Sequence, residues 1–406
     1  MLKINNKIKV MFCITMSFLI FANSILGVGY IYKLEKTKEK ESSISTIATP
    51  EFNFQSESQY LIEPYSGNVL YANNEDEKLL PASVTKVMTL LLIMEQIDSG
   101  KVSYDDKVTC SANASKMGGS QIWFKEGEQL TIDEALKAIC VVSANDVTVA
   151  IAEMIGGTES NFVSMMNKKA QELGMSNTCF KNSHGIDEDG HYSTAKDIAI
   201  MSSELIKKHP NILKYTSIWM DTLRDGTFTL SNTNNLIRYY EGANGLKTGS
   251  TSKALFNLAS SATRDGTTFL AVIMRAPSSA IRAEESKQLL NYAFSTYETQ
   301  NIYSKGVSVD SININKDITG EKEVITKDDI KSLIEKGNKI NTIFKITYDK
   351  VKAPILKDES IGKIEVFEEK TGKKIGETSL TLKEDSLKSG IKQYLRKVLD
   401  IFMLNI

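Results

Sequence analysis

Positive charge is not in excess. The 49 lysines and arginines stand against 50 aspartates and glutamates, for a formal net charge of −1 and a pI near 6.4. With no basic stripe interleaved with aromatics, the chain offers no complementary field to a nucleic-acid backbone, and nucleic acid is not an expected partner. Cysteine is scarce, at four in 406 residues. Cys13 falls in an apolar run, and the remaining Cys110, Cys140 and Cys179 are an odd set that makes no disulfide framework, even for an exported protein. Cys140, in the apolar stretch 138–142, reads as core rather than as a nucleophile. Only three histidines are present. His184 and His191 share a loop with Asp187 and Asp189, but no His-Glu-x-x-His or similar ligand spacing occurs, so neither a metal nor any other cofactor is expected. The absence of a Gly-x-Ser-x-Gly elbow argues against a Ser-His-Asp triad through His184.

What is present is ordinary for folded domains: 41% hydrophobic and 24% charged residues, in a length sufficient for two or three of them. Residues 10–32 carry no charge and follow Lys3, Lys7 and Lys9, which reads as an export signal. Small residues at Ala22-Asn23-Ser24 suit cleavage, while the length of the run suits a retained span. Residues 1–32 are therefore a signal peptide or a membrane anchor, followed by a polar linker over 33–50.

The chemistry starts at residues 81–92. Pro81 ends the preceding segment, and Val87, Leu90, Leu91 and Met94 recur at helical spacing, predicting a helix over 83–97 with Ser83 on its first turn. Ser83 and Lys86, three apart, share a face. A neutral lysine there can take the proton of the serine hydroxyl and make it a nucleophile, and burial at a helix start favours the neutral form. The Ser-x-x-Lys spacing also occurs at Ser193, Ser250, Ser360 and Ser389, so the company of Ser83 must single it out.

Strands at 60–63 and 69–73 read as a hairpin ahead of Ser83. Thr131 to Glu134 is a capping box opening a second helix. Ser143-Ala144-Asn145 follows at a bend, where Ser143 either caps the next helix or projects its hydroxyl into a cleft. Helices are expected over 162–173, 194–208 and 281–294. Two apolar runs, 254–262 and 267–275, flank an Asp-Gly turn as an antiparallel hairpin, with Lys247-Thr248-Gly249 on a strand beside them. The glycine would let a substrate lie along that strand edge. A second Lys-Thr-Gly, at 370–372, sits in a charged turn.

Ser83-x-x-Lys86, Ser143-x-Asn145 and Lys247-Thr248-Gly249, in that order within one domain, resemble the penicillin-recognising serine enzymes. Their contexts resemble one branch, the low-molecular-mass D-alanyl-D-alanine carboxypeptidases. The resemblance implies an α/β (α+β) fold of the β-lactamase/transpeptidase-like kind, over residues 51–302: an antiparallel sheet flanked by helices, with a helical subdomain. It implies that Ser83 is acylated, that Lys86 takes its proton, and that Ser143 with Lys247 returns a proton to the departing D-alanine. The N–H groups of Ser83 and Ser250 would form the oxyanion hole, and Thr248 and Arg282 would hold the terminal carboxylate, with Asn145 and Gly249 in the substrate site. Peptidoglycan pentapeptide stems and β-lactams are the implied partners, at the outer face of the cytoplasmic membrane. Ser-Ala-Asn in place of Ser-Asp-Asn, and no Glu-x-x-x-Asn before Lys247, disfavour rapid β-lactam hydrolysis. A non-catalytic wall-binding protein is the other alternative. Residues 303–385 alternate as a small β-rich domain without visible chemistry. Over 386–406, Ile391, Leu395, Val398, Leu399, Phe402 and Ile406 line one face of an amphipathic helix that suits a membrane interface or a protein surface.

Overall fold

The computed structural model describes residues 51–317, 319–349, 351–391, 399 and 403. The segments expected over 1–50, and most of the helix expected over 386–406, lie outside them. Among the described residues the chain divides into two compact units, 51–299 with 333–338, and 300–332 with the residues from 339 on. The first break therefore falls at Thr299/Gln300 rather than 302/303, and a short excursion returns to the first unit.

The first unit opens with the expected hairpin, β1 (Ser58–Glu63) and β2 (Asn68–Asn73). A single 3-10 turn, Ala82–Thr85, leads into α1 (Lys86–Asp98), so Ser83 precedes the α-helix instead of standing on its first turn. The short pair β3 (Lys107–Thr109) and β4 (Gln129–Thr131) is followed by α2 (Ile132–Lys137). Its capping box forms: Thr131 Oγ1 accepts from the Glu134 N–H at 3.1 Å, and the Glu134 carboxylate accepts from the Thr131 N–H at 2.8 Å. A wide π-type turn, Ala138–Val142, then delivers Ser143 to the start of α3 (Asn145–Gly156). Then come α4 (Glu159–Glu172), α5 (Ala195–Lys208), the hairpin β5 (Met220–Leu223) and β6 (Phe228–Ser231), the strands β7 (Ala243–Thr251), β8 (Leu255–Arg264) and β9 (Thr267–Ala276), and α6 (Ser279–Thr296).

The strands assemble in the order β2-β1-β9-β8-β7, antiparallel throughout, which leaves β7 on an edge. Both faces of this sheet are covered. Phe269, Ala271 and Ile273 of β9 join the core with Leu289 and Leu290 of α6, while Leu270, Val272 and Met274 join the core of α1, α3 and α5. Burial on both faces explains why β9 reads as a continuous apolar run rather than an alternating one. Every residue of α1 from Lys86 to Met94 is buried. Such a helix belongs to a core on all sides, more completely than one apolar face requires.

The predicted strands of the second unit form. β10 (Tyr297–Tyr303) and β13 (Ile330–Glu335) each run across a boundary between the units, and β11 (Ser308–Asn313), β12 (Glu321–Thr326), β14 (Thr342–Tyr348), β15 (Gly362–Glu368) and β16 (Lys374–Leu382) lie wholly in the second. Five of them form one sheet, β11-β12-β16-β15-β14, over a core that includes Val324, Ile346, Ile364, Val366 and Leu380. Lys370, Thr371 and Gly372 lie in the exposed turn between β15 and β16.

Candidate active site

Pro81 and Ala82, the latter in the left-handed region at φ 47°, bring the chain into the 3-10 turn. Ser83 is the single residue between Pro81 and Met94 that is not buried. The loop carrying Gly185 (φ +91°) presses on this turn, and a Cβ on Gly185 would overlap the Ala82 carbonyl. Lys86 is fully buried, and its ammonium group reaches Ser83 Oγ at 3.0 Å, Asn145 Oδ1 at 2.6 Å and the His184 carbonyl at 2.7 Å. Those partners are a hydroxyl, an amide and a carbonyl, none of them a carboxylate. Burial holds the pKa of Lys86 well below the usual lysine range, and the nearby charge of Lys247 adds to this, with Asp146 pulling the other way. A lysine so placed is a base.

The π-type turn ends with Ser143 in the left-handed region, at φ 65° and ψ 33°. Ala144, not Ser143, is the N-cap of α3, and Ser143 Oγ is buried without a hydrogen-bond partner among the described residues. The capping alternative therefore fails, and the hydroxyl is left for something else. Asn145, expected in the substrate site, also braces the protein: Oδ1 accepts from Lys86, and Nδ2 uses one of its two hydrogens to donate to the Gly118 carbonyl at 2.8 Å. Its backbone N–H donates to the Ser120 carbonyl at 2.7 Å. Buried Asp146 braces the same loop, accepting from the N–H groups of Ile122 at 3.1 Å and Phe124 at 2.9 Å.

On β7, Lys247 and Thr248 are buried and Ser250 is exposed. Lys247 Nζ donates to the Thr248 carbonyl at 2.9 Å. Burial brings the pKa of Lys247 down to about 7, with the nearby Cys140 pulling it up and the charge of Arg282 pushing it down, while burial pushes the Cys140 thiol itself up to about 12. Gly249 lies against the nucleophile: a Cβ there would sit 2.9 Å from the Ser83 nitrogen and 2.8 Å from the Val84 nitrogen and the Pro81 carbonyl oxygen. Arg282, on the first turn of α6, is buried. Its Nη1 donates to the Asn257 carbonyl at 3.2 Å, on the residue paired with Gly249, and its Nε has no partner among the described residues. Burial lowers the pKa of Arg282 to about 10, so it remains a cation at neutral pH. Among the described residues no carboxylate forms an ion pair with Lys86, Lys247 or Arg282. Buried cations without counter-charge are costly, and a bound anion would relieve that cost.

The histidines are used structurally. His184 contributes its carbonyl to Lys86, and its Nδ1 accepts from the Ile186 N–H at 3.1 Å, with burial bringing its pKa down to about 3. His191 Nε2 lies 2.8 Å from Thr85 Oγ1, and burial lowers it to about 4. Three site features escape a reading of the sequence. They are the His184 carbonyl, which no side chain announces, the Asp146 brace, and Thr233, whose Oγ1 lies 2.6 Å from Thr248 Oγ1.

A serine activated by a buried, proton-depleted lysine, beside an unpartnered second hydroxyl and a sheet edge backed by cations, defines a serine acyl-transferring enzyme that works without histidine. Residues 44–278 match the D-alanyl-D-alanine carboxypeptidase family and residues 297–388 match the C-terminal domain of penicillin-binding protein 5. The chain belongs to the D-alanyl-D-alanine carboxypeptidase family and is a serine peptidase. D-alanyl-D-alanine carboxypeptidase DacF of Bacillus subtilis is 41% identical over 86% of this chain and 91% of its own length. Penicillin-binding protein 5 of Haemophilus influenzae, a solved structure, aligns over 84% of this chain and 99% of its own at 30% identity and a TM-score of 0.67. Penicillin-binding protein D2 of Listeria monocytogenes, solved in its ampicillin-bound form, aligns over 60% and 99% at 28% identity and a TM-score of 0.56.

Proposed function

We propose that this chain removes the terminal D-alanine from peptidoglycan pentapeptide stems through an acyl-enzyme on Ser83, and that penicillin acylates the same oxygen. The observation that carries this reading is Lys86: fully buried, without an ion pair among the described residues, and 3.0 Å from Ser83 Oγ. Neutral Lys86 takes the hydroxyl proton as Ser83 Oγ attacks the carbonyl carbon of the penultimate D-alanine. The N–H groups of Ser83 and Ser250 receive the oxyanion. Ser143, with Lys247 behind it, passes a proton to the nitrogen of the departing D-alanine, and water then hydrolyses the ester. Lys247, Thr248 and Arg282 attract the terminal carboxylate, which favours an exopeptidase. Asn145 serves by holding Lys86, and Gly249 by letting β7 approach.

The test is release of free D-alanine from a peptide ending in Lys-D-Ala-D-Ala by the detergent-solubilised chain, with mass spectrometry mapping the penicillin adduct. The adduct is expected on Ser83; one on Ser193, Ser250, Ser360 or Ser389, or none, refutes the assignment. Turnover of penicillin many times per minute without D-alanine release would favour a β-lactamase. The pH profile carries a further expectation. Acylation needs Lys86 deprotonated, so kcat/KM rises with pH through the lowered pKa of Lys86. It falls again as Lys247 loses its proton near 7 in the free enzyme. A bound carboxylate raises the pKa of Lys247, so the falling limb of kcat should lie at higher pH than that of kcat/KM.

The uncharged run over 10–32 and the apolar face over 386–406 support an exported protein held at the outer face of the cytoplasmic membrane. Ile391 and Leu399, both on that face, are 82% and 62% exposed, as a lipid-facing side requires. Among the described residues no helix is long and apolar enough to cross a membrane. Deleting 386–406 from a chain lacking 1–32 is expected to abolish flotation with anionic vesicles; unchanged binding would show that this face is not the anchor.

A further inference from the structure

Between β6 and β7 the chain reads Asn232-Thr233-Asn234, with both asparagines buried and the threonine exposed. Asn232 Nδ2 donates to the Ile218 carbonyl at 2.7 Å, and its Oδ1 accepts from the Asn234 N–H at 2.9 Å. Asn234 Nδ2 donates to the Gly245 carbonyl on β7 at 3.1 Å, and its Oδ1 accepts from the Leu236 N–H at 3.1 Å. Thr233 itself donates its N–H to the Val141 carbonyl, at 3.2 Å, on the turn that delivers Ser143. Two buried amides thus fix one threonine hydroxyl between the Ser143 turn and β7, at 2.6 Å from Thr248 Oγ1.

We propose that Thr233 is a positioning residue that makes the Thr248 hydroxyl a donor toward the terminal carboxylate of the substrate; this rests on the carboxypeptidase reading above. A hydroxyl has one proton to give and lone pairs to receive. Two facing hydroxyls hold one proton between them. If Thr248 gives its own to Thr233, it presents only lone pairs to a carboxylate, which repels them. In the opposite sense, Thr233 donates to Thr248, and the Thr248 proton is free for the carboxylate. The donated chain polarises, and a charge-assisted bond at its end is strengthened. An amidated terminus can accept or donate, so it gains little from either sense.

The experiment uses the full chain with two peptides, Lys-D-Ala-D-Ala as the free acid and as the C-terminal amide, assayed on the same preparations of wild type, Thr233→Val and Thr233→Ser. Because the ratio of the two rates is independent of the fraction of active enzyme, partial unfolding cancels. Thr233→Val is expected to lower kcat/KM for the free acid about tenfold, mainly through KM, with the amide unchanged within about twofold; Thr233→Ser restores the free-acid preference. Equal losses on both peptides, or a serine variant no better than valine, overturn the proposal. Wild type that releases no D-alanine refutes the carboxypeptidase reading and this inference together, whereas active wild type with equal losses refutes the inference alone.

Discussion

Lys86→Arg is expected to lower D-alanine release roughly 10³-fold or more while the protein stays folded, because arginine cannot give up its proton and general-base contributions are of that order. The substitution keeps N–H donors for the Asn145 and His184 oxygens, so it separates the role of base from that of buried donor. Lys86→Met would confuse the two. It leaves Asn145 Oδ1 and the His184 carbonyl buried without their partner, at about 1–3 kcal/mol for each group. Arginine is larger, and a fully buried site resists the added volume by about 1–3 kcal/mol, which a thermal melt will register. The decisive readings are steady-state D-alanine release and the rate of penicillin adduct formation by intact mass. Activity within tenfold of wild type would mean that the proton of Ser83 goes elsewhere.

The pairing of Ser83 with Lys86 was legible because helical spacing and a proline stop are written in side chains. So were the hairpins, the capping box at Thr131 and the apolar run of β9, each a matter of local periodicity. What escaped the sequence was what neighbours in space supply. Asn145 read as a substrate contact, and nothing in its sequence context shows that its amide also holds Lys86, 59 positions away, and the Gly118 carbonyl. The polar sequence around Arg282 gives no sign of its burial, which the fold alone supplies. The left-handed backbone at Ala82 and Ser143 has no glycine to mark it; at non-glycine residues such geometry costs about 1–3 kcal/mol and persists only where surrounding packing enforces it. The return of residues 333–338 to the first unit is likewise a long-range contact that no linear composition shift announces.

Gly249→Ala is expected to lower the rate of penicillin acylation about 100-fold, since displacement of a reacting group by about 1 Å has that effect. The new methyl would lie 2.8–2.9 Å from the Pro81 carbonyl oxygen and the nitrogens of Ser83 and Val84. All three are backbone atoms, which cannot rotate away as a flexible side chain would. Either β7 moves outward or the 3-10 turn gives way, and both separate Ser83 from the strand that carries Lys247 and Ser250. Because β7 is an edge strand it can shift without dismantling the sheet, so stability should fall by only about 1–3 kcal/mol, in the range of an overpacked core. The other Lys-Thr-Gly supplies the control. Gly372 has φ +69° and open space where a methyl group would project, with nothing within 4 Å, so Gly372→Ala costs about 1–2 kcal/mol of left-handed backbone strain and leaves acylation unchanged. Fluorescent-penicillin labelling and thermal melts of the two variants, side by side, distinguish steric placement of the nucleophile from general loss of stability. Equal acylation rates for Gly249→Ala and wild type would show that contact between β7 and the Ser83 turn is not what positions the nucleophile.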